Sequence, residues 1–167
     1  MFKYFISCCI CLCFHPVLAA DFFVVDQHLP DSVKSLKSFT DLPVNKHEYK
    51  SEKGIISKCY ADKQVLILSR NAYGGQGYEL RKTVPAGMQC VKIADREFKN
   101  AAGIRLSMNK SKVLKLLNAS HASNNSTLMY DQKKVIKHKE YDEQTWVDVE
   151  FVHNKLTRLA VFVSLTQ

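Results

Sequence analysis

The apolar positions that follow Asn109 have the period of a helix. Asn109 is of a residue type that often begins helices, and the apolar residues after it return every three to four positions. They are Val113, Leu116 and Leu117. Asn118 then stands where a residue in the left-handed conformation commonly ends a helix. This pattern predicts a helix of about 8 to 10 residues, which is too short to be stable unless its apolar edge is buried.

The C-terminal part of the chain has the period of strands instead. Apolar residues alternate with polar ones over 146–152 and again over 156–165, which predicts two strands. The compact segment 153–155 predicts that these strands form an antiparallel hairpin. A shorter strand at 128–130 is predicted to extend beyond a turn at 131–132. The apolar face of the hairpin is the nearest surface large enough to cover the predicted helix.

The N-terminal half shows both periods in shorter segments. Pro30 and the polar residues after it are typical of a helix start. The apolar edge of that helix is predicted to consist of Val33, Leu36 and Phe39. An apolar run at 65–68 and a segment at 78–84 in which apolar and charged residues alternate flank a glycine-rich segment at 71–77, which predicts a second hairpin. Because a strand follows these glycines, they do not form a phosphate-binding loop, which leads into a helix.

Together these elements predict one α+β domain, an antiparallel sheet with short helices packed on one face. Its N-terminal half is expected to span 21–100 and its C-terminal unit, a helix plus a hairpin, 101–167. The first 20 residues have the pattern of an export signal, with Lys3 at a positive start, an apolar run, and small residues at the end. We therefore predict a signal peptide at 1–20 and a periplasmic or secreted domain, with an uncleaved anchor as the main alternative.

Two cysteines remain after the predicted signal is removed, Cys59 and Cys90. In an oxidising compartment such a pair is normally joined, and two cysteines allow a single connectivity. We predict a disulfide that ties together the two ends of the N-terminal hairpin. Two buried free thiols are the alternative. A zinc site is less favoured because the two cysteines lack the paired CxxC spacing.

The segment 103–118 reads Gly-Ile-Arg-Leu-Ser-Met-Asn-Lys-Ser-Lys-Val-Leu-Lys-Leu-Leu-Asn. It resembles the helix-plus-sheet unit of SmpA/OmlA-type lipoproteins of outer-membrane assembly and of the β-lactamase-inhibitor-protein-like group. Their shared pattern is a Gly-Ile-x-Leu/Val-Gly-Met-Ser/Thr strand that leads into a helix with Val and Leu-Gly near its end. This chain departs from it at Ser107 and Asn118, where the pattern has Gly, at Asn109, where it has Ser or Thr, and at Lys112, where an acidic residue is usual. The resemblance implies a non-catalytic protein that binds other proteins with the exposed face of its sheet.

The net charge of +8, or +7 once the predicted signal is removed, favours an anionic partner or surface. Basic residues are densest over 133–139, and aromatic residues lie on both sides of that segment. Exposed aromatic and basic side chains are typical protein-binding anchors. The predicted partner-binding residues are Lys133, Lys134, Lys137, Lys139, Tyr130, Tyr141 and Trp146. The alternative interpretation is that 133–139 is a solvated strand end or hairpin tip without a binding role.

The expected partner is another protein, acidic in character, or an anionic envelope surface. Nucleic acid is not expected, because aromatic residues do not interleave with the basic run. No cofactor-binding, metal-binding or catalytic motif is present, and Asp148 and Glu150 fall on the polar face of a strand, where carboxylates are usually solvated. We therefore predict a non-catalytic, exported protein-binding module that acts as an inhibitor or immunity protein or as an accessory of envelope assembly. An envelope enzyme or small-ligand carrier with a pocket between sheet and helix is the alternative.

Overall fold

The computed structural model describes the backbone of residues 21–25 and the full residues of 28–36, 42–94, 96–119, 122–137 and 139–166. The predicted signal peptide, Phe39 and His138 lie outside the described residues.

The described part contains two short helices and nine strands. The helices are α1 (Asp31–Lys34) and α2 (Lys110–Leu116). The strands are β1 (Asp21–Val25), β2 (Tyr49–Lys50), β3 (Ile56–Ala61), β4 (Val65–Arg70), β5 (Gln76–Arg81), β6 (Cys90–Lys92), β7 (Asn125–Ile136), β8 (Lys139–Val152) and β9 (Lys155–Thr166).

All nine strands belong to one sheet. Their order is β1-β7-β8-β9-β5-β4-β3-β2, and β6 pairs with β3 beside this path. Only β1 with β7 and β3 with β6 pair in parallel, and every other pair is antiparallel. The described part is therefore a mostly antiparallel, open sheet with two short helices, which confirms the predicted antiparallel sheet.

Both predicted hairpins are confirmed. β4 pairs with β5 in the N-terminal half, and β8 pairs with β9 in the C-terminal unit. His153 and Asn154 connect β8 to β9, and both have a positive φ, of 49° and 59°. Two consecutive residues in this conformation form the type of turn whose twist matches that of the flanking strands.

The turn predicted at Asp131-Gln132 is wrong. β7 continues to Ile136, and Asp131 and Gln132 pair with Gln144 and Glu143 of β8. Asp and Gln are common in turns, but here the amide of Gln132 donates a hydrogen bond to the carboxylate of Glu143. This cross-strand contact stabilises the extended conformation of the polar segment.

Helix α1 is shorter than the sequence predicted. Its four residues bury Val33, and Ser35 is already extended, with ψ of 142°. Leu36 then forms an isolated bridge with Asn100 instead of continuing the helix. The backbone of 35–36 therefore pairs with a segment that is distant in the sequence. The local pattern of apolar residues could not predict this pairing.

Helix α2 forms where it was predicted, with seven residues and with Asn109 at its N-cap. Asn118 has φ of 53°, which confirms the left-handed end. The side chain of Asn109 does not cap the helix, because its Oδ1 accepts a hydrogen bond of 2.6 Å from Nζ of Lys155. Leu114 is 8% exposed and belongs to the core, whereas Leu116 is only half-buried.

The strand register defines two faces of the sheet. The inner face carries a row of buried residues at equivalent positions of β7, β8, β9 and β5: Leu128, Val147, Val161 and Tyr78. The outer face carries the residues one position away in each strand: Met129, Trp146, Phe162 and Gly77.

Two inner-face tyrosines reach the helical segments. The hydroxyl of Tyr78 donates to the carbonyl of Val33, at 2.6 Å, and that of Tyr130 donates to the carbonyl of Leu117, at 2.7 Å.

Cys59 and Cys90 form the predicted disulfide. They lie opposite each other in the short parallel pairing of β3 with β6, with a Cα–Cα distance of 4.4 Å. Cys59 is fully buried beside Val65 and Ile67, in a small cluster separate from the main core. The bond closes the segment that contains the β4–β5 hairpin, as the sequence suggested.

Ser107 precedes α2 with an exposed side chain and φ of 67°. This conformation costs most residues about 1 to 2 kcal/mol relative to glycine. We expect Ser107→Gly to raise the free energy of unfolding by about 0.5 to 1 kcal/mol, because the relief of strain exceeds the added freedom of the unfolded chain. Ser111→Gly, in the exposed first turn of α2, should lower it by a similar amount. Urea denaturation measures both, and a loss of stability at position 107 would contradict the argument.

Candidate functional site

The basic segment predicted from the sequence forms the tip of the β7–β8 hairpin. Lys133 and Lys134 point to opposite faces of the sheet, because successive residues of a strand alternate. On the outer face Nζ of Lys133 pairs with Glu140, and on the inner face Nζ of Lys134 lies 3.2 Å from Glu143. The lysines therefore do not form one continuous patch.

The charge of this tip is partly neutralised by carboxylates. The hydrogen bond to Glu140, then the charges of Glu140 and Asp142, raise the pKa of Lys133 above its ordinary value. Lys137 and Lys139 are exposed, and within the described residues neither pairs with a carboxylate. These two lysines are the part of the predicted basic surface that remains available to a partner.

The three predicted aromatic contacts lie in three different environments. Tyr130 is 2% exposed and belongs to the core, so the expectation that it lies on the surface beside the lysines is wrong. Its hydroxyl supports the end of α2, and burial raises its pKa. Tyr141 is half-buried, opposite Lys134 in the β7–β8 register. Trp146 lies on the outer face and is partly exposed.

An apolar row crosses the outer face at this point. Met129, Trp146 and Phe162 are side by side on β7, β8 and β9, and all three are partly exposed. The ring centroids of Trp146 and Phe162 are 6.2 Å apart, and the rings are tilted by 43°. The row ends against Gly77 of β5, where a Cβ atom would lie 2.8 Å from the ring of Phe162 and 2.3 Å from a backbone oxygen. A larger residue at 77 would have to displace both that ring and the adjacent backbone of β9, so glycine is what allows β5 to pair this closely beside Phe162.

Sequence reasoning included Trp146 but missed its neighbours Met129 and Phe162. Phe162 occupies the polar-side position of an alternating strand, between the inward residues Val161 and Val163. An aromatic residue at such a position is the signal that could have identified the row.

A network of charges borders the row on the same face. The guanidinium of Arg158 donates to Glu79 at 2.8 and 3.3 Å and to Glu150 at 3.2 Å, and it lies 3.6 Å from Asp148. Burial disfavours the cation, but these carboxylates, Glu79 above all, outweigh burial and raise the pKa of Arg158. Asp148 and Glu150 thus lie on the polar face, as predicted, and are held by Arg158.

A second charged cluster lies on the inner face and was not predicted. Glu143 is 3% exposed, and its carboxylate accepts hydrogen bonds from Lys34 of α1 and from Gln132 and Lys134 of β7. Burial opposes ionisation of Glu143, but these donors, Lys34 first, outweigh it and hold its pKa below the ordinary value. The cluster fastens α1 to β8. Lys34 and Glu143 are 109 positions apart, so no local pattern could reveal the contact.

A cavity of about 610 Å³ lies beside this cluster, between α1 and the inner face of the sheet. Its floor is apolar, and its walls include charged side chains from α1, β3, β4 and β7. Over the residues that the structure describes, no group of His, Cys, Asp and Glu side chains is arranged to hold a metal ion. In the same residues, no helix has both the length and the apolar character needed to span a membrane.

No family model matches the chain, and no curated protein or solved structure matches it significantly. The assignment of function therefore depends on the surfaces and the cavity described above.

Proposed function

We propose that the protein is a non-catalytic binding module that contacts an acidic protein through the outer face of its sheet. The observation that carries this proposal is the partly exposed row of Met129, Trp146 and Phe162, which crosses three adjacent strands of that face. Aromatic side chains in the middle of a surface, with polar groups around them, are the usual anchors of protein interfaces.

Charge supports an acidic partner. The chain carries a net charge of +8, and Lys137 and Lys139 at the hairpin tip are exposed and without a carboxylate partner in the described part of the chain. Such lysines accelerate encounter with an acidic surface, whereas the aromatic row determines how long the complex lasts.

The packing proposed from the family resemblance fits this geometry. Tyr78 reaches α1 and Tyr130 reaches the end of α2, and strand register puts both tyrosines on the inner face. We therefore propose that both helices cover the inner face and leave the outer face to a partner. The positive φ of Ser107, at the position where the resembled pattern has glycine, also supports the resemblance.

Compartment and role follow from the same proposal. The Cys59–Cys90 disulfide fits an oxidising compartment, and with the sequence of the first 20 residues it supports a periplasmic or secreted protein. In this setting the module acts as an inhibitor or immunity protein, by covering the active surface of its partner, or as an accessory of envelope assembly.

The proposal can be tested by site-specific photo-crosslinking. A photoreactive phenylalanine analogue at position 146 should give one protein adduct in an envelope extract of the source cells, which mass spectrometry identifies. The matched control is the same analogue at Tyr73, which is 87% exposed in the β4–β5 turn. Equal adducts from both positions would contradict a binding site on the outer face.

The purified partner then allows the affinity to be measured. Trp146→Ala should weaken binding by about tenfold or more, as expected for a central aromatic anchor. Lys137→Glu/Lys139→Glu should mainly slow association, and it leaves Lys134 in its pair with Glu143. The control Lys112→Glu/Lys115→Glu makes the same charge change on the exposed side of α2. An equal loss in this control would show that only net charge matters and would overturn the role of the hairpin tip.

A further inference from the structure

The inner face contains a second recognition feature that is independent of the outer face. Helix α1 has only four residues, so it covers only part of the sheet beneath it. Leu66 of β4 is fully buried, but Leu68, two positions further along the same face, is only half-buried, and Val163 of β9 is half-buried as well. Among the residues that the structure describes, α1 leaves this stretch uncovered, and it forms the floor of the cavity.

The size and lining of the cavity match those of small-molecule sites. Its volume of about 610 Å³ lies within the usual range for such sites. The apolar part of the floor is formed by Ile56 of β3, Leu68 of β4, and Val161 and Val163 of β9. An apolar floor of this extent favours a ligand with a hydrocarbon portion.

The walls favour a ligand that also carries a negative charge. They include four cations and two carboxylates: Lys34, Lys58, Arg70 and Lys134, with Asp31 and Glu143. The carboxylate of Glu143 is already occupied by three donors, and the side chain of Asp31 is 88% exposed to water. Neither carboxylate therefore offers a strong site for a cation.

Lys58 and Arg70 are the two cations of the lining that do not bind Glu143. They lie on adjacent strands at one end of the floor, and their side chains are 38% and 67% exposed. Both side chains approach the carboxylate of Glu48, at 3.2 and 3.8 Å, and Glu48 lies outside the lining of the cavity. Because one carboxylate faces two cations, Lys58 and Arg70 keep a net positive charge. A guanidinium and an ammonium group in this arrangement suit a carboxylate head group.

We propose that this cavity binds a linear carboxylate with a medium-length hydrocarbon chain. The tail lies along Leu68, Val161 and Val163, and the carboxylate is held at Lys58 and Arg70. This site does not rest on the proposed function, because it uses the opposite face of the sheet.

Calorimetric titration of the purified protein with decanoate tests the proposal. We expect saturable binding of one equivalent, and binding of decyltrimethylammonium that is at least tenfold weaker. No saturable binding, or equal affinity for the two amphiphiles, would overturn it. Sedimentation of the same samples detects occupation of the cavity by a second copy of the chain, and a dimer that decanoate does not dissociate would also overturn it.

Two kinds of variant locate the bound decanoate. Lys58→Gln/Arg70→Gln should weaken it at least tenfold and remove the preference for the anion, whereas Val163→Trp should fill the floor and abolish binding of both amphiphiles. Lys112→Gln/Lys115→Gln removes the same charge far from the cavity and should leave binding within twofold of the unmodified protein. Lys58→Gln/Arg70→Gln changes only partly exposed side chains, so this variant should fold even if Val163→Trp does not. An unchanged affinity for decanoate in this variant would overturn the site.

Discussion

Replacing both disulfide cysteines by alanine should lower the free energy of unfolding by about 3 to 4 kcal/mol. The bond joins residues 31 positions apart, and without it the unfolded chain regains the freedom of that loop. For a domain of this size the loss corresponds to a fall in the melting temperature of roughly 10 °C. Urea denaturation monitored by the fluorescence of Trp146, the single tryptophan, measures it.

The unmodified protein treated with a reductant is the matched control for this variant. It should unfold at nearly the same urea concentration as Cys59→Ala/Cys90→Ala, because both lack the cross-link. A loss below about 1 kcal/mol in both samples would mean that the cross-link hardly constrains the unfolded chain.

The second large effect is expected at the buried ion cluster. Glu143→Gln should lower the free energy of unfolding by about 2 to 4 kcal/mol, because it leaves the buried amine of Lys34 without its main counter-charge. The side chain of Lys34 is only 11% exposed, and its remaining carboxylate neighbour, Asp31 at 3.5 Å, lies in water. Chemical denaturation at neutral pH measures the change.

Glu140→Gln is the matched control for Glu143→Gln, since it makes the same change three residues earlier on β8. Glu140 is 56% exposed in its pair with Lys133, and such pairs contribute about 0 to 1 kcal/mol. If the two variants lose equal stability, the cluster at Glu143 does not fasten α1 to the sheet.

The dependence of stability on pH follows from the same group. The pKa of Glu143 is lower in the folded protein than its ordinary value of 4.5. Its contribution to stability is therefore complete above the ordinary value and is lost as the pH falls through the lower, folded value. Between about pH 5 and pH 3 the unmodified protein should lose more stability than Glu143→Gln does. Equal losses would show that Glu143 does not contribute to acid sensitivity.

The local sequence pattern predicted correctly those elements whose conformation depends on residues close by in the sequence. The β8–β9 hairpin follows from two alternating strands around a two-residue turn, and α2 follows from an apolar edge that ends at Asn118. Errors arose where distant partners decide the conformation. Leu36 leaves the helical pattern to pair with Asn100, and Gln132 remains extended because it meets Glu143.

The candidate sites show the same division. Trp146 could be selected from composition and charge, but its neighbour Phe162, and Gly77 next to that ring, come from other strands. Tyr130 was placed on the surface because basic residues follow it closely, whereas strand alternation turns its ring into the core. A pocket between sheet and helix was predicted only as an alternative. Its lining residues could not be identified, because they come from β3, β4, β5 and β9, which only the complete sheet order brings together.

The pairing of β5 with β9 determines what happens when the N-terminal half is separated from the C-terminal unit. This pairing lies in the interior of the sheet and joins the N-terminal half to the C-terminal unit. A fragment that began after residue 100 would present the long apolar strand β9 with a full row of unpaired amide and carbonyl groups. Such an edge is a template for the next copy, so shortened forms of this protein should self-associate into aggregates rather than persist as monomeric minidomains.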